Sequence, residues 1–179
     1  MKKMVTCVLF VFLSVVVAHS AQETTGSSTA GKEGMAPYSV KVSVNEVRNR
    51  TVEAKVRDHV VRVDQPTAFG ADDTAPTPPE ILAVSLGTCV VSTIQFLAMQ
   101  KKMEVKNIQV TVEGDIDFSR AMGIPTENRA GFAGLKIGVQ FDSNLSSTEK
   151  GAFIKDVFER GASIDNIMNA TPVTYELLR

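Results

Sequence analysis

Imidazole and thiol groups are scarce in this sequence. Its 179 residues hold two cysteines and two histidines, and Cys7 and His19 fall within the first twenty. Past that point only His59 and Cys89 remain, too few donors for a zinc set and no partner for an internal disulfide. Strong charge of one sign is missing too. The formal net charge is −1, and the lysines and arginines are scattered rather than clustered. Without a basic stripe the phosphate backbone of a nucleic acid has nothing to bind, so nucleic acid is not expected as a partner. Cofactor and metal motifs are lacking, and no internal repeat is evident.

What is present bounds the architecture. A chain of this length, 44% hydrophobic and 22% charged, can bury one sizeable core and is too short for two domains. It opens "MKKMVTCVLFVFLSVVVAHSAQE": two lysines, an apolar run from Val5 to Ala18, then Ala18-His19-Ser20. The run falls short of the roughly 20 apolar residues of a spanning helix, and the pattern predicts a secretory signal peptide over residues 1–20. The mature protein is then exported, periplasmic or secreted, and free of the membrane. Residues 21–37, "AQETTGSSTAGKEGMAP", are polar and without hydrophobic period, which predicts a flexible linker. The folded domain is expected over 38–179.

Within it, "YSVKVSV", "TVEAKV" and "VVRVD" alternate as the strands of a meander, with turns at Arg48-Asn49-Arg50 and Asp58-His59. "QPTAFGADDTAPTPP" is a proline-rich loop. A helix is expected from Pro78 or Pro79 to about Gln100. Proline is tolerated in its first turn, and Glu80 suits the positive end of the dipole. That helix is apolar almost all round, as befits an element covered on most sides. "NIQVTVEGDID" and "LKIGVQFD" alternate as further strands, and Ser146 with Glu149 forms a capping box for a helix ending at Gly161. Ser163 is a candidate cap for a short helix to Met168, and "TPVTYEL" is expected to close as a strand. The order predicts an α+β fold, antiparallel sheet with a long buried central helix. About 140 residues would not cover that helix on both sides, so a homodimer with a shared core is expected.

Cys89 stands inside the long helix, with Ser85, Leu86, Ser92 and Thr93 one turn away. Two readings fit: a tight seam of small residues around a buried, inert sulfur, or a narrow pocket above a working thiol. A working thiol needs its anion stabilised. Cys89 lies too deep in its own helix for that helix's dipole to help, and Glu80 is ~13.5 Å away along the axis on the opposite side. A positive group must therefore come from another segment or another subunit. His59, in a turn, is expected at the surface.

The segment "VDQPTAFGADDTAPTPPEILAVSLGTC", followed by helix, strands and "FIKDVFERGASIDNIM", resembles the OsmC/Ohr family, the osmotically inducible and organic hydroperoxide resistance proteins. The similarity runs from Tyr38 to the C-terminus, and its most telling part is the loop from Gly70 to Leu82 with Cys89 nine residues after Glu80. The resemblance implies an intertwined homodimer with two sites at its interface, fed by both chains. It implies a thiolate that reduces a small organic or hydrogen peroxide and becomes a sulfenic acid. Cys89 matches the attacking position, Ala162 stands where the resolving cysteine would be, and Arg48, or Arg50 beside it, matches the catalytic arginine. Pro79 stands at the position of the paired acid, one residue before Glu80. Three readings are open: a one-cysteine peroxidase regenerated by an external thiol, using Cys89, Arg48 and Glu80; a non-catalytic module binding a small apolar or thiol ligand at the dimer interface; and a purely structural dimer.

Overall fold

A computed structural model describes residues 34–178. The expected signal peptide and all but 34–37 of the expected linker lie outside them. Residues 34–39 carry no regular element, and the unit described below starts at Val40.

The second unit begins with an antiparallel meander: β1 (Val42–Arg48), β2 (Thr51–Val56) and β3 (His59–Val63). The register pairs Val42 with Val56 and Val52 with Val63. The first strand starts later than the alternation of "YSVKVSV" suggested, because its partner β2 reaches back only as far as Val42. Asn49 and Arg50 make the β1–β2 turn with φ of 41° and 70°. Two successive positive φ values match the right-handed twist of a hairpin, at some strain for a residue such as arginine.

The loop from Asp64 to Thr77 ties the meander to the first helix. Asp64 is buried, and its carboxylate accepts from the Thr74 N–H at 2.9 Å and the Thr74 hydroxyl at 2.8 Å. These bonds hold its pKa below the usual carboxylate range. Asn49 Nδ2 donates to Asp72 Oδ1 at 2.7 Å, which fastens the hairpin turn to the same loop.

Helix α1 (Pro78–Gln100) starts at a capping box in which Thr77 and Glu80 satisfy each other's backbone N–H groups. Leu86, Val90, Ile94 and Leu97 form its buried stripe. It packs on the antiparallel pair β4 (Val105–Glu113) and β5 (Lys136–Ser143), and on α2 (Ser147–Arg160) and α3 (Ala162–Met168). Phe141, Phe153, Val157 and Ile164 complete the core. Gly87 faces Val112, where an added Cβ would meet Cγ2 at 3.3 Å, so the helix crosses the sheet closely. A single chain covers only this face of α1. Leu82, Val84, Phe96 and Met99 stay exposed on the rest of it. The C-terminal segment expected as a strand has no partner among the described residues, and Val173, Tyr175 and Leu177 lie open.

Between β4 and β5 the connection is organised by Asp117. Its carboxylate accepts from Asn128 Nδ2 at 2.7 Å and the Ser119 N–H at 2.8 Å, which brings its pKa down to about 2. A folded pKa below the unfolded value means that the bond set contributes stability above about pH 4 and loses it as pH falls toward 2. Backbone amide exchange over residues 117–128 is expected to quicken across that window, and Asp117→Asn is expected to abolish the pH dependence.

Candidate active site

Cys89 sits at the middle of α1, half-buried, and the residue that meets it comes from 74 positions downstream. Helix α3 starts there. Its N-cap is Gly161, which has no side chain to satisfy the first amides. The sulfur of Cys89 takes that part from outside the helix, accepting the Ser163 N–H at 3.4 Å. Gly161 has to be small for this to happen. An added Cβ would stand 2.5 Å from Ile164 Cδ1 and 3.3 Å from Cys89 Sγ.

Burial pushes the Cys89 thiol up, but hydrogen bonds outweigh it and leave the pKa below the usual thiol value. The hydrogen bond that reaches the sulfur is the one from the Ser163 N–H. The Thr93 hydroxyl donates instead to the Cys89 carbonyl, at 2.8 Å. The stabilising group is thus a neutral donor at the start of a short helix. The sequence pointed instead to a distant cation, because it could not show that the glycine after α2 would return the chain to Cys89.

Arg48 closes β1 opposite Thr51 and is exposed. Arg50 reaches further: it lines a cavity of about 390 Å³ with Gln65, Phe69, Pro79, Phe118 and Met122. Neither arginine forms an ion pair among the described residues. Arg50, not Arg48, therefore shares a cavity with Pro79, ten positions before the thiol. Glu80 is occupied elsewhere: its carboxylate accepts from the Thr77 N–H at 2.7 Å and the Thr77 hydroxyl at 2.9 Å, which lower its pKa. The pattern Thr77-Pro78-Pro79-Glu80 is itself the sequence signal for that capping box, masked by the two prolines between its ends. His59 opens β3 and is exposed, as expected. Ala162 lies between Gly161 and Ser163 and is exposed. Ser163 was expected only as a helix cap; it is the sulfur's nearest donor.

A larger cavity of about 750 Å³ opens at the start of α1, walled by Pro78, Leu82, Phe118, Leu135 and Ile167. Leu82 lies two turns before Cys89 on the same face of the helix. No cluster of metal-binding side chains occurs among the described residues.

A long apolar helix laid on antiparallel strands, with one half-buried thiol at its midpoint and a short helix starting over that sulfur, defines an α+β domain organised around a single cysteine. The model of OsmC-like proteins matches residues 70–176, more than half the chain, and the protein belongs to that family. The fold is found in solved structures. An OsmC-like protein from Mycoplasma pneumoniae is 19% identical, with a TM-score of 0.61 over 75% of this chain and 89% of that one. An organic hydroperoxide resistance protein from Legionella pneumophila is 19% identical, with a TM-score of 0.54 over 74% and 91%. One from Elizabethkingia anophelis is 15% identical, with a TM-score of 0.55 over 75% and 91%. No curated protein matches the sequence.

Proposed function

We propose that the protein is a one-cysteine thiol peroxidase of oxidative stress defence. The observation that carries this reading is the half-buried Cys89 sulfur accepting the Ser163 N–H at 3.4 Å, which favours its anion. The thiolate attacks the distal oxygen of a hydroperoxide; the O–O bond breaks, a proton goes to the departing alkoxide, and an alcohol leaves. Cys89 becomes a sulfenic acid. With Ala162 in place of a second cysteine, an external thiol attacks that sulfur and expels water. A second thiol then releases Cys89 as a mixed disulfide breaks.

Arg50 is the arginine we assign to this chemistry, because it shares a cavity with Pro79. Glu80 then serves by starting α1. We further propose that two chains assemble. The open face of α1, with Leu82, Val84, Phe96 and Met99, and the exposed Val42, Val44 and Val60 of the meander would be covered by a second copy. The protein is exported, on the strength of its first twenty residues.

The test is a stoichiometric organic hydroperoxide, with the sulfenic acid trapped by dimedone and read by intact mass. Trapping matters because seven methionines can also gain oxygen. One adduct within minutes, absent in Cys89→Ser, is expected. No adduct over hours, while the unfolded chain reacts, would leave a non-catalytic binding module.

A further inference from the structure

The cavity that holds Arg50 is walled in part by the loop after β3, and that loop is tied down at three places. Asp64 fixes its far end through Thr74. At its middle a 3-10 turn, Thr67–Phe69, sets Phe69 edge-on to Phe118 of the β4–β5 connection, with ring centroids 5.3 Å apart, and both rings line the cavity. The third tie is the hydrogen bond from Asn49 Nδ2 to Asp72 Oδ1 at 2.7 Å. Among the described residues it is the one hydrogen bond that joins the β1–β2 turn to the loop.

That tie acts next door to Arg50. Asn49 and Arg50 both hold positive φ, a conformation that strains an arginine and persists only where the surroundings fix it. A short bond from an amide to a carboxylate is a strong fixing for so small a contact. Past the turn the Arg50 side chain runs over Gly70, where an added Cβ would meet its Nε at 3.9 Å, and into the cavity with Gln65 and Pro79. Asp72 forms no ion pair with Arg48 or Arg50 among the described residues, so the guanidinium enters the cavity with its charge uncommitted.

We propose that Asn49 and Asp72 are positioning residues for Arg50: their bond clamps the hairpin turn onto the loop and holds the guanidinium in the cavity beside Pro79. The catalytic consequence rests on the peroxidase reading and on the place of Arg50 in it; the clamp itself does not.

Two measurements on the full chain separate them. One is the rate at which hydroxyphenylglyoxal labels Arg50, located by tandem mass spectrometry, with Arg48 as the internal comparison. The other is the dimedone-trapped oxidation of Cys89. Asn49→Gly keeps a residue at ease with positive φ and removes the bond. It is expected to speed labelling of Arg50 relative to Arg48 about fivefold and to slow oxidation by about the same factor, the worth of one ordinary hydrogen bond. Asp72→Ala is expected to match it. Asp72→Asn leaves an acceptor in place, and Asn49→Asp combined with Asp72→Asn restores the bond with its donor reversed; both are expected to recover the wild-type values. In an Arg50→Ala background none of these changes is expected to slow oxidation further, which a general loosening of the turn would not give. Unchanged labelling of Arg50 in both Asn49→Gly and Asp72→Ala overturns the clamp. Faster labelling with unchanged oxidation, while the wild type forms its adduct, overturns the positioning role and leaves the peroxidase standing. Faster labelling with no adduct in any chain removes the peroxidase reading and upholds the clamp.

Discussion

Gly161→Ala is expected to destabilise the protein by about 1 to 3 kcal/mol and to raise the Cys89 pKa in the same step. The backbone does not forbid alanine there, since Gly161 has φ −78° and ψ 119°. Space forbids it. The new methyl would meet Ile164 Cδ1 at 2.5 Å and Cγ1 at 3.0 Å, and Ile164 is 1% exposed, with no room to swing away. On its other side the methyl would press on the sulfur at 3.3 Å and part it from the Ser163 N–H. Gly151→Ala supplies the matched comparison. It lies inside α2 with nothing within 4 Å of an added Cβ, so it is expected to stabilise by about 0.5 to 1 kcal/mol and to leave the thiol alone. Thermal melts and alkylation profiles of the two variants check both halves. Equal and small effects at the two glycines would show that α3 does not rest on Cys89.

How the residues around the thiol could be read from sequence depends on how far each contact travels along the chain. The elements set by local rules were legible. Alternation gave β4 and β5, Ser146 and Glu149 gave the start of α2, and the two prolines before Glu80 gave the start of α1. The spacing from the proline loop to Cys89 carried the family resemblance that singled out this thiol as the candidate. The thiol's surroundings were not legible, because Ser163 reaches Cys89 across two strands and a helix, and nothing periodic records that return. That Arg50 lines a cavity with Pro79 and Arg48 does not is a matter of tertiary placement, which the residue pattern does not record. The alternation of "TPVTYEL" misled because a strand needs a partner as well as a pattern, and the described chain supplies none.

Ala162→Cys is expected to have the largest effect, because it restores to this chain the second sulfur that the family resemblance implies. The Ser163 nitrogen is 3.4 Å from Cys89 Sγ, and a Cβ added at Gly161 would stand 3.3 Å from it, so the chain passes the sulfur on both sides of Ala162. A disulfide asks for Cβ atoms about 3.5 to 4.5 Å apart, and the prediction is that the start of α3 brings a cysteine at 162 within that reach. With one equivalent of hydroperoxide, the sulfenic acid at Cys89 is attacked by the new thiol; an S–S bond forms, the S–O bond breaks and water leaves. Intact mass should then show the loss of two hydrogens in place of the dimedone adduct, and a dithiol should regenerate the protein for repeated turnover. The bridge closes a loop of roughly 70 residues, so the oxidised form should also gain about 2 to 4 kcal/mol in denaturant unfolding. A variant that keeps the wild-type adduct and forms no bridge would place Ala162 out of line with the sulfur and remove the account of this site as a peroxidase that lacks only its resolving thiol. A bridge that forms and turns over would show that the short helix over Cys89 is already built to receive one.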